Sequence, residues 1–375
     1  MRMEEFFHMT KGDGELSYAQ NSSVQREALS MNQDILESTI QSLISEQNGL
    51  SKGLNVADLG CGVGPAPLTL VSLVVEVVQR KCKDLKLNNN ETFHQAPKLQ
   101  MYMNDLPSND FNLLFKDLLN LEVLKRKDDG VPLCILMGVP GSYYDVLFPY
   151  NSLHFVHANY TLHWLSKPPP GLYDEQGMSI NKRKIYISET SSRPVAIAYM
   201  DQFEQDFIRF LKCRSKEVVT NGSMLLTLRG RPCSSDSFTW TTFEFKIFIK
   251  ALTCLVSEGL INEEKLDSFD FPCYFANTED LESIVKKEGS FEVEISRTIV
   301  LDVAPEIEDK WERAQIISNF IRAFSESLVS RHFGEDIVTP LYDKLIYYAF
   351  QYLDNDEPAQ NHAVTVLLRK IKRCK

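Results

Sequence analysis

Three alternating glycines follow directly after a short apolar segment near the start of the chain. Val56–Ala66 reads VADLGCGVGPA, so that Asp58 precedes Gly60, Gly62 and Gly64. Glycine lets the backbone turn tightly and lie close against a ligand, and the proline that follows can begin a helix whose N-terminus faces that ligand. The pattern predicts a nucleotide-binding turn between a strand and a helix.

The position of the acidic residue distinguishes between two kinds of nucleotide. In a dinucleotide fingerprint, G-x-G-x-x-G is followed about 20 residues later by an acidic residue. Here the order is D-x-G-x-G-x-G, with the acidic residue before the glycines. This order favours S-adenosylmethionine over NAD. Because glycine clusters also occur in ordinary tight turns, the interpretation depends on the rest of the chain.

Polar residues follow three further apolar segments that have the length of buried strands. Leu99–Asn104 ends at Asp105, Leu133–Val139 runs into PGSYY, and Leu153–Ala158 runs into Asn159–Ser166, which reads NYTLHWLS. An open parallel sheet binds its ligands at the carboxyl ends of its strands. We therefore expect these segments and the glycine turn to form one ligand site.

Helical and strand patterns alternate as far as about residue 230, which predicts an α/β fold with a Rossmann-like sheet. Beyond that point the apolar spacing is mostly helical and predicts a cap over the sheet edge, with Ser179–Ser188 as its entrance. The predicted division is an N-terminal lid over 1–50, a core over 51–235 with C-terminal strands to 375, and a mainly helical cap over 236–335. The other predicted elements are helices from Met31 to Ser45, Leu68–Lys81, Asp201–Val219, Phe238–Gly259, Lys310–Phe333 and Val338–Leu353, a strand Met224–Arg229 and a loop Leu266–Phe275.

Composition narrows the class of partner. The chain has 375 residues, 43% of them apolar, and a formal net charge of −11, which argues against binding a nucleic-acid backbone. The apolar segment Leu68–Val78 is far shorter than the roughly 20 residues of a membrane span. Eight cysteines without a C-x-x-C pair, and no secretory signal at the start, predict reduced thiols in a cytoplasmic protein. We expect a small-molecule partner, with no nucleic acid and no membrane.

A series of motifs runs in order over nearly the whole chain: HMTKGDGELSYAQNSS, DLGCGVGP, MNDLPSNDFN, GVPGSYY, LFPYNSLHFVHANYTLHWLS, NKRKIYIS, EGLINEEKLDSFDFPCYFA, EGSF and HFGEDI. Together they resemble a known family, the plant SABATH methyltransferases, which methylate salicylate, benzoate, jasmonate, indole acetate and, in one branch, xanthine alkaloids. Details such as SYAQNSS, LRGRPCS and CYFA look most like tea-type caffeine synthases within it. The resemblance implies a class I S-adenosylmethionine-dependent methyltransferase fold.

The resemblance implies a set of cofactor-binding residues for S-adenosyl-L-methionine. The side chains suit these roles, because Asp105 at a strand end can accept hydrogen bonds from both ribose hydroxyls and Tyr143 offers an aromatic face to adenine. The implied set is Tyr18, Ser22, Asp58, Cys61, Asp105, Leu106, Ser142 and Tyr143.

The resemblance also implies an acceptor site, with Gln25, His163 and Trp164 as the catalytic residues. The Gln25 amide and the Trp164 indole N–H are donors that can orient a carboxylate or a purine carbonyl. Methyl transfer is an in-line displacement that chiefly requires alignment, but a xanthine N–H must also lose a proton, which His163 or Tyr160 could take. The implied acceptor-binding residues are Tyr18, Gln25, Tyr160, His163 and Trp164, with Phe245 and Tyr274 as apolar walls.

A metal position and a homodimer are further implications of the family. The oxygen ligands would be Asn181, Asp267, the Phe269 carbonyl and Asp270, which suit Mg²⁺. Asp270 stands where relatives usually carry asparagine. A hydrogen-bonded loop without metal is the alternative interpretation.

Three departures from the family pattern leave alternatives open. Ala66 replaces a usual asparagine, Asp145 stands in a usual Gly-Arg pair, and Glu244 lies beside an expected wall of the acceptor site. A carboxylate there would repel an anionic acid but not a neutral purine. The first hypothesis is an enzyme acting on a xanthine nitrogen, with a carboxylic acid oxygen as the runner-up. The second is a relative that binds the cofactor without catalysis.

Overall fold

The architecture is a sheet of seven strands with helices on both faces. A computed structural model describes residues 7–46, 53–87, 98–124, 134–233, 238–355 and 358–372. The strands are β1 (Leu54–Leu59), β2 (Leu99–Asp105), β3 (Cys134–Pro140), β4 (Leu153–Asn159), β5 (Val218–Arg229), β6 (Phe291–Asp302) and β7 (Gln360–Lys370). Three of them extend the strands predicted from Leu99, Leu153 and Met224.

The strand order is β3-β2-β1-β4-β5-β7-β6. The first five strands are parallel, whereas β7 runs antiparallel to both β5 and β6. The chain order reverses between β1 and β4, and open α/β sheets bind ligands beyond the carboxyl ends of the strands at such a point. The α/β fold class predicted from the sequence is confirmed, and the order places the glycine turn at this crevice.

Ten helices surround the sheet within the described residues. The predicted helix Lys310–Phe333 has the observed bounds, and the one predicted at Asp201–Val219 begins earlier, at Arg193. The helices are α1 (Ser23–Met31), α2 (Gln33–Glu46), α3 (Pro65–Leu87), α4 (Phe111–Leu118), α5 (Arg193–Glu217), α6 (Phe243–Ser257), α7 (Glu263–Asp267), α8 (Thr278–Glu288), α9 (Lys310–Phe333) and α10 (Glu335–Asp354).

Two apolar layers hold the helices against the sheet. On one face α3 buries Val71, Val74 and Val78, which recur at the spacing of one helical face. On the other face α5 buries Phe203 and Phe207 in the larger core cluster. Among the described residues, no helix combines the length and the apolar character needed to cross a membrane.

The predicted cap is helical, but its boundaries need correction. Helices α6, α9 and α10 pack together as a cap, and α6 begins where the Thr242 side chain accepts a hydrogen bond from the Phe245 N–H. However, β6 and α8 fall inside the range 236–335 and belong to the core, because β6 pairs with β7 along its whole length. The predicted loop Leu266–Phe275 is non-helical only after α7.

Candidate active site

The glycine turn joins β1 to α3 with a backbone that only glycine adopts easily. Gly60 and Gly64 have φ angles of +68° and +91°. A Cβ on Gly60 would lie 2.3 Å from Cγ2 of Thr161, and one on Gly64 would lie 2.8 Å from Cα of Ala19. The turn thus brings β1, the segment after β4 and the N-terminal segment together without space for side chains.

Asp105, the last residue of β2, lies opposite this turn. Its Oδ2 accepts a hydrogen bond from the Gly62 N–H and its Oδ1 accepts one from the Leu106 N–H, both at 2.7 Å. Burial raises the pKa of Asp105 to about 6, even though these two donors favour the carboxylate. The side chain lines a cavity of about 290 Å³. Each oxygen has a further lone pair, so the carboxylate can also accept two hydroxyl groups of a ligand.

The loop after β3 forms another wall of this cavity. Ser142 and Tyr143 line it, and the Tyr143 hydroxyl donates to the carbonyl of Thr161 at 3.0 Å. This hydrogen bond joins the loop to the segment after β4. The tyrosine ring is therefore held in one orientation beside the space for a ligand.

A fully buried ion pair on α5 holds the same loop from behind. Arg214 Nε lies 2.6 Å from Glu217 Oε2, and neither side chain is exposed. The Arg214 guanidinium donates to the carbonyls of Tyr143 and Asp145, and Glu217 accepts from the Leu147 N–H. Because both members of the ion pair form hydrogen bonds with main-chain groups of the loop, the pair fixes the position of the loop.

The predicted cofactor residues divide into two groups. Tyr18, Asp105, Leu106, Ser142 and Tyr143 line the larger cavity. Ser22, Asp58 and Cys61 do not, and direct contact of these three with a ligand in that cavity is not supported.

The three outlying residues have other surroundings. Asp58 is paired across the sheet with His157, and its Oδ1 lies 2.7 Å from His157 Nδ1. Asp58 and Cys61 line a separate small cavity next to Ala66. The buried Ser22 Oγ has no hydrogen-bond partner among the described residues. The strand register therefore places Asp58 next to His157 in β4, and the two side chains contact each other.

A second cavity, of about 50 Å³, adjoins the first under the cap. The two cavities join at four residues that line both of them: Met9, Tyr18, Tyr160 and Trp164. This arrangement suits transfer of a group between two bound molecules. Of the predicted acceptor residues, Tyr18, Gln25, Tyr160, His163, Trp164 and Phe245 line the second cavity.

Tyr274 is a correction to the predicted acceptor walls. Its side chain is buried away from the cavity, where its ring lies 5.1 Å from the Phe203 ring and its hydroxyl donates to Asp280. The residues on either side of it, Cys273 and Phe275, line the cavity instead. Side chains alternate in direction along extended backbone, so the prediction was displaced by one residue.

The two residues predicted to take a proton are poorly suited to it. Burial, with a contribution from the nearby Arg229 charge, lowers the pKa of His163 to about 3. His163 therefore does not titrate near neutrality, as an imidazole that takes up the proton would have to do. The Tyr160 hydroxyl donates to Asn361 Oδ1 at 2.8 Å, and burial raises the pKa of Tyr160. Both groups remain neutral over the ordinary pH range.

A buried ion pair occupies the cap side of the second cavity. Arg229 Nη2 lies 2.7 Å from Glu244 Oε2, and the two side chains are 7% and 3% exposed. The guanidinium also lies over the Phe275 ring at 5.6 Å. The predicted repulsion of an anionic acid by Glu244 needs correction, because Arg229 balances its charge.

Comparison with known proteins agrees with this geometry. A family profile described as "SAM dependent carboxyl methyltransferase" matches residues 4–371. The chain belongs to the SABATH methyltransferase family. A 3,7-dimethylxanthine N-methyltransferase TCS1 from Camellia sinensis is 43% identical over 367 residues, covering 98% of this chain and 97% of the relative. Caffeine synthase 1 from Camellia taliensis is 42% identical, with coverage of 98% and 97%.

A solved structure supports both the family and the fold. Loganic acid methyltransferase with SAH superposes with a TM-score of 0.82 at 30% identity, covering 98% of this chain and 99% of that one. The predicted Rossmann-like class I methyltransferase fold is thus confirmed, as is S-adenosylmethionine as the methyl donor of the family.

The larger cavity fits this cofactor. Asp105, the glycine turn and Tyr143 all line it, so a carboxylate that can accept hydroxyl groups, a backbone without side chains and an aromatic ring face the same space. When bound, S-adenosylmethionine supplies a methyl group on a positively charged sulfur. The chief task of the chain is to align an acceptor in the adjoining cavity with that methyl group.

Three side-chain oxygens of the residues predicted for Mg²⁺ accept hydrogen bonds within the protein. Asn181 Oδ1 accepts from Ser191 Oγ, and Asp267 Oδ1 accepts from the Arg183 N–H. The Asp270 Oδ2 accepts from the Tyr173 hydroxyl at 2.6 Å, and burial raises the pKa of Asp270 to about 6.

Each of these three side chains thus has one oxygen that accepts a hydrogen bond, whereas Asp270 Oδ1 is buried without a partner among the described residues. The ring of Phe269, whose carbonyl was the fourth predicted ligand, packs on Phe333. Among the described residues, no group of three or more His, Cys, Asp or Glu side chains could hold a metal. The structure shows the hydrogen bonds of this loop, and the metal position stays a prediction.

Arg229 and Asn361 are among the residues lining the acceptor cavity that were not predicted. Arg229 ends β5, so the signal that identified Asp105, a polar residue at the carboxyl end of a strand, could have identified it. Asn361 lies in β7 and reaches Tyr160 across 201 residues of sequence. No local pattern indicates that contact.

Proposed function

We propose that the protein transfers the methyl group of S-adenosylmethionine to a ring nitrogen of a xanthine. The supporting observation is a set of unpaired polar atoms in a cavity with aromatic walls. Five residues lining the cavity each carry a buried polar atom without a hydrogen-bond partner among the described residues. These atoms are Gln25 Oε1, His163 Nδ1, Arg229 Nε, Glu244 Oε1 and Asn361 Nδ2.

This set matches a neutral planar molecule with polar groups around its edge. Buried polar atoms normally have partners, and the set contains both donors and acceptors. A xanthine offers carbonyl oxygens, N–H groups and a ring nitrogen along one rim, whereas a carboxylate offers acceptors only. Phe245, Phe271 and Phe275 provide apolar surface for its faces.

The charge of the cavity supports the same choice. Arg229 and Glu244 form an ion pair without net charge. An anionic acid would lose its hydration on entering the cavity and would find no unpaired positive charge there to offset that cost. The relatives named as xanthine N-methyltransferase and caffeine synthase favour a nitrogen acceptor as well. The profile description and the loganic acid enzyme keep a carboxyl oxygen as the second candidate.

A turnover assay with labelled S-adenosylmethionine tests the proposal. The acceptors are xanthines that differ in the number and position of their methyl groups, beside aromatic and jasmonate-like acids. We expect methylation of at least one xanthine and none of the acids, and Asp105→Ala serves as the cofactor-site control. Exclusive turnover of an acid would establish the carboxyl alternative. Binding of S-adenosylhomocysteine without turnover of any acceptor would indicate a relative without catalysis.

A further inference from the structure

The acceptor cavity contains one carboxylate with an oxygen that is not used for structure. Among the described residues that line this cavity, only Glu244 is acidic. Its Oε2 accepts a hydrogen bond from Arg229 Nη2 at 2.7 Å, while its Oε1 is buried without a partner. We propose that Glu244 accepts the proton that the acceptor nitrogen loses during methyl transfer. This inference rests on the xanthine acceptor proposed above.

The reaction requires such a group because a xanthine N–H is not ionised beforehand. In the balanced step, the proton passes from nitrogen to Glu244 Oε1, and the electron pair of the N–H bond stays on nitrogen. That nitrogen forms the new bond to the methyl carbon, and the bond from carbon to sulfur breaks with its electron pair remaining on sulfur. The positive sulfonium and the negative carboxylate thereby become a neutral thioether and a carboxylic acid, so charge and atoms balance.

The other polar groups of the cavity are weaker candidates. His163 has a pKa lowered to about 3 by burial, so its imidazole holds a proton poorly. The Tyr160 hydroxyl is a donor to Asn361, and burial opposes its ionisation. The Gln25 amide oxygen can accept a hydrogen bond but is not basic enough to take the proton. Of the groups compared, the Glu244 carboxyl group offers an unpaired oxygen, Oε1, that can take the proton.

The surroundings of Glu244 fix its position. It lies in the first turn of α6, where the helix begins at Thr242 and a carboxylate is electrostatically favoured. Arg229 binds one oxygen and is itself held over the Phe275 ring. After proton uptake, Oε2 can continue to accept the Arg229 hydrogen bond while Oε1 carries the proton. The ion pair thus orients the carboxylate and leaves its second oxygen available to the acceptor.

The first test is Glu244→Gln, which keeps the shape of the side chain but cannot take a proton. We expect kcat for the xanthine to fall about 10²- to 10⁴-fold. The Kd of the acceptor, measured by calorimetry with S-adenosylhomocysteine bound, should change less than tenfold. Glu258→Gln is the matched control, because Glu258 caps the other end of α6 at the surface and pairs with Lys344. A Gln variant with the wild-type kcat overturns the inference.

The second test separates proton transfer from loss of the ion pair. Glu244→Ala leaves Arg229 unpaired, and added formate or nitrate can each restore a planar anion beside it. Only formate is basic enough to take a proton. We expect both anions to raise the melting temperature and formate alone to restore kcat. Equal rescue of kcat by nitrate, or no rescue by either anion, overturns the inference.

The two proposals fail differently. If the wild-type protein methylates no xanthine, the proposed function fails and this inference fails with it. If the wild type methylates a xanthine and Glu244→Gln does so equally well, the function stands and Glu244 is not the proton acceptor.

Discussion

The affinity for S-adenosylhomocysteine should depend on pH through Asp105. Burial raises the pKa of this carboxyl group to about 6 in the protein without ligand. Ribose hydroxyls donate hydrogen bonds, which favour the charged carboxylate and lower its pKa in the complex. The tight binding is therefore present above about pH 6 and is lost as the pH falls through that value, because the free protein must then release a proton on binding.

The size of the effect follows from the ionised fraction. With a pKa of about 6, nearly all Asp105 is ionised at about pH 8 and roughly one tenth is ionised at about pH 5. The Kd should accordingly rise about tenfold between these values, which corresponds to about 1.4 kcal/mol. Asp105→Ala removes the ribose contact at all pH values and should cost roughly 1.5–3 kcal/mol, or about 10- to 150-fold in affinity.

Calorimetry over this pH range measures both quantities. Buffers of different ionisation enthalpy report the proton released on binding, which should approach one near pH 5 and vanish near pH 8. Asp105→Ala should show no such proton. His8 lines the same cavity, so His8→Gln is the control for a contribution from that side chain. A wild-type Kd that is constant over the range, or an equal pH dependence in Asp105→Ala, would refute the reasoning.

Three further predictions concern groups around the two cavities. Because the pKa of His163 is lowered to about 3, the dependence of kcat on pH between about pH 6.5 and 9 should be the same in His163→Gln and in the wild type. Initial rates measured over this range check the prediction, and a different pH dependence in the variant would contradict it. Glu217→Ala leaves the buried Arg214 guanidinium unpaired, so it should lower the free energy of unfolding in urea by about 3–5 kcal/mol and weaken S-adenosylhomocysteine binding. Asp145→Ala is the control, because it breaks a half-exposed ion pair and should lower the free energy of unfolding by less than about 1 kcal/mol. Equal losses in the two variants would contradict the proposed role of the ion pair in fixing the loop. Mg²⁺ or a chelator should leave the melting temperature and the rate unchanged, since Asp267 and Asp270 each already accept a hydrogen bond through one oxygen, and a rise in melting temperature with Mg²⁺ would support the metal site.

The part of the site that lies on strand ends was predictable. Asp105 and the glycine turn meet because parallel strands present their carboxyl ends at one edge of the sheet, which follows from the alternation of strand and helix patterns. Arg229 carried the same signal at the end of β5. What the sequence could not indicate is the ion pair with Glu244, since the two residues lie on different elements whose packing depends on the cap.

Other differences arise from contacts between distant residues. Asp58 pairs with His157 because β1 and β4 are neighbours in one particular register, and a one-residue shift would have turned Asp58 to the opposite face. The strand β6 was not predicted, because it is an edge strand of mixed polar and apolar residues and the segments around it in the sequence are mostly helical. Tyr274 and its neighbours differ only in which side of an extended segment each occupies, and that choice depends on the packing around Phe203.

The junction of the two cavities is where the cofactor and the acceptor would meet. Four residues line both cavities, so substitutions there should change how the two ligands are aligned: Met9, Tyr18, Tyr160 and Trp164. The N-terminal segment contributes to this junction because the Thr10 N–H donates to the Ala323 carbonyl in α9 and the Phe7 ring lies 4.5 Å from the Trp164 ring.

Residues at the far ends of the cavities should act on one ligand only. Asp105 lines only the cofactor cavity, whereas Glu244 and Asn361 line only the acceptor cavity. Since transfer requires alignment across the junction rather than strong binding at either end, a loss of kcat with both affinities retained is the signature expected of Trp164. Trp164→Phe, which keeps the ring and removes its N–H donor, should show that signature, and a loss of thermal stability alone would instead place Trp164 in the core.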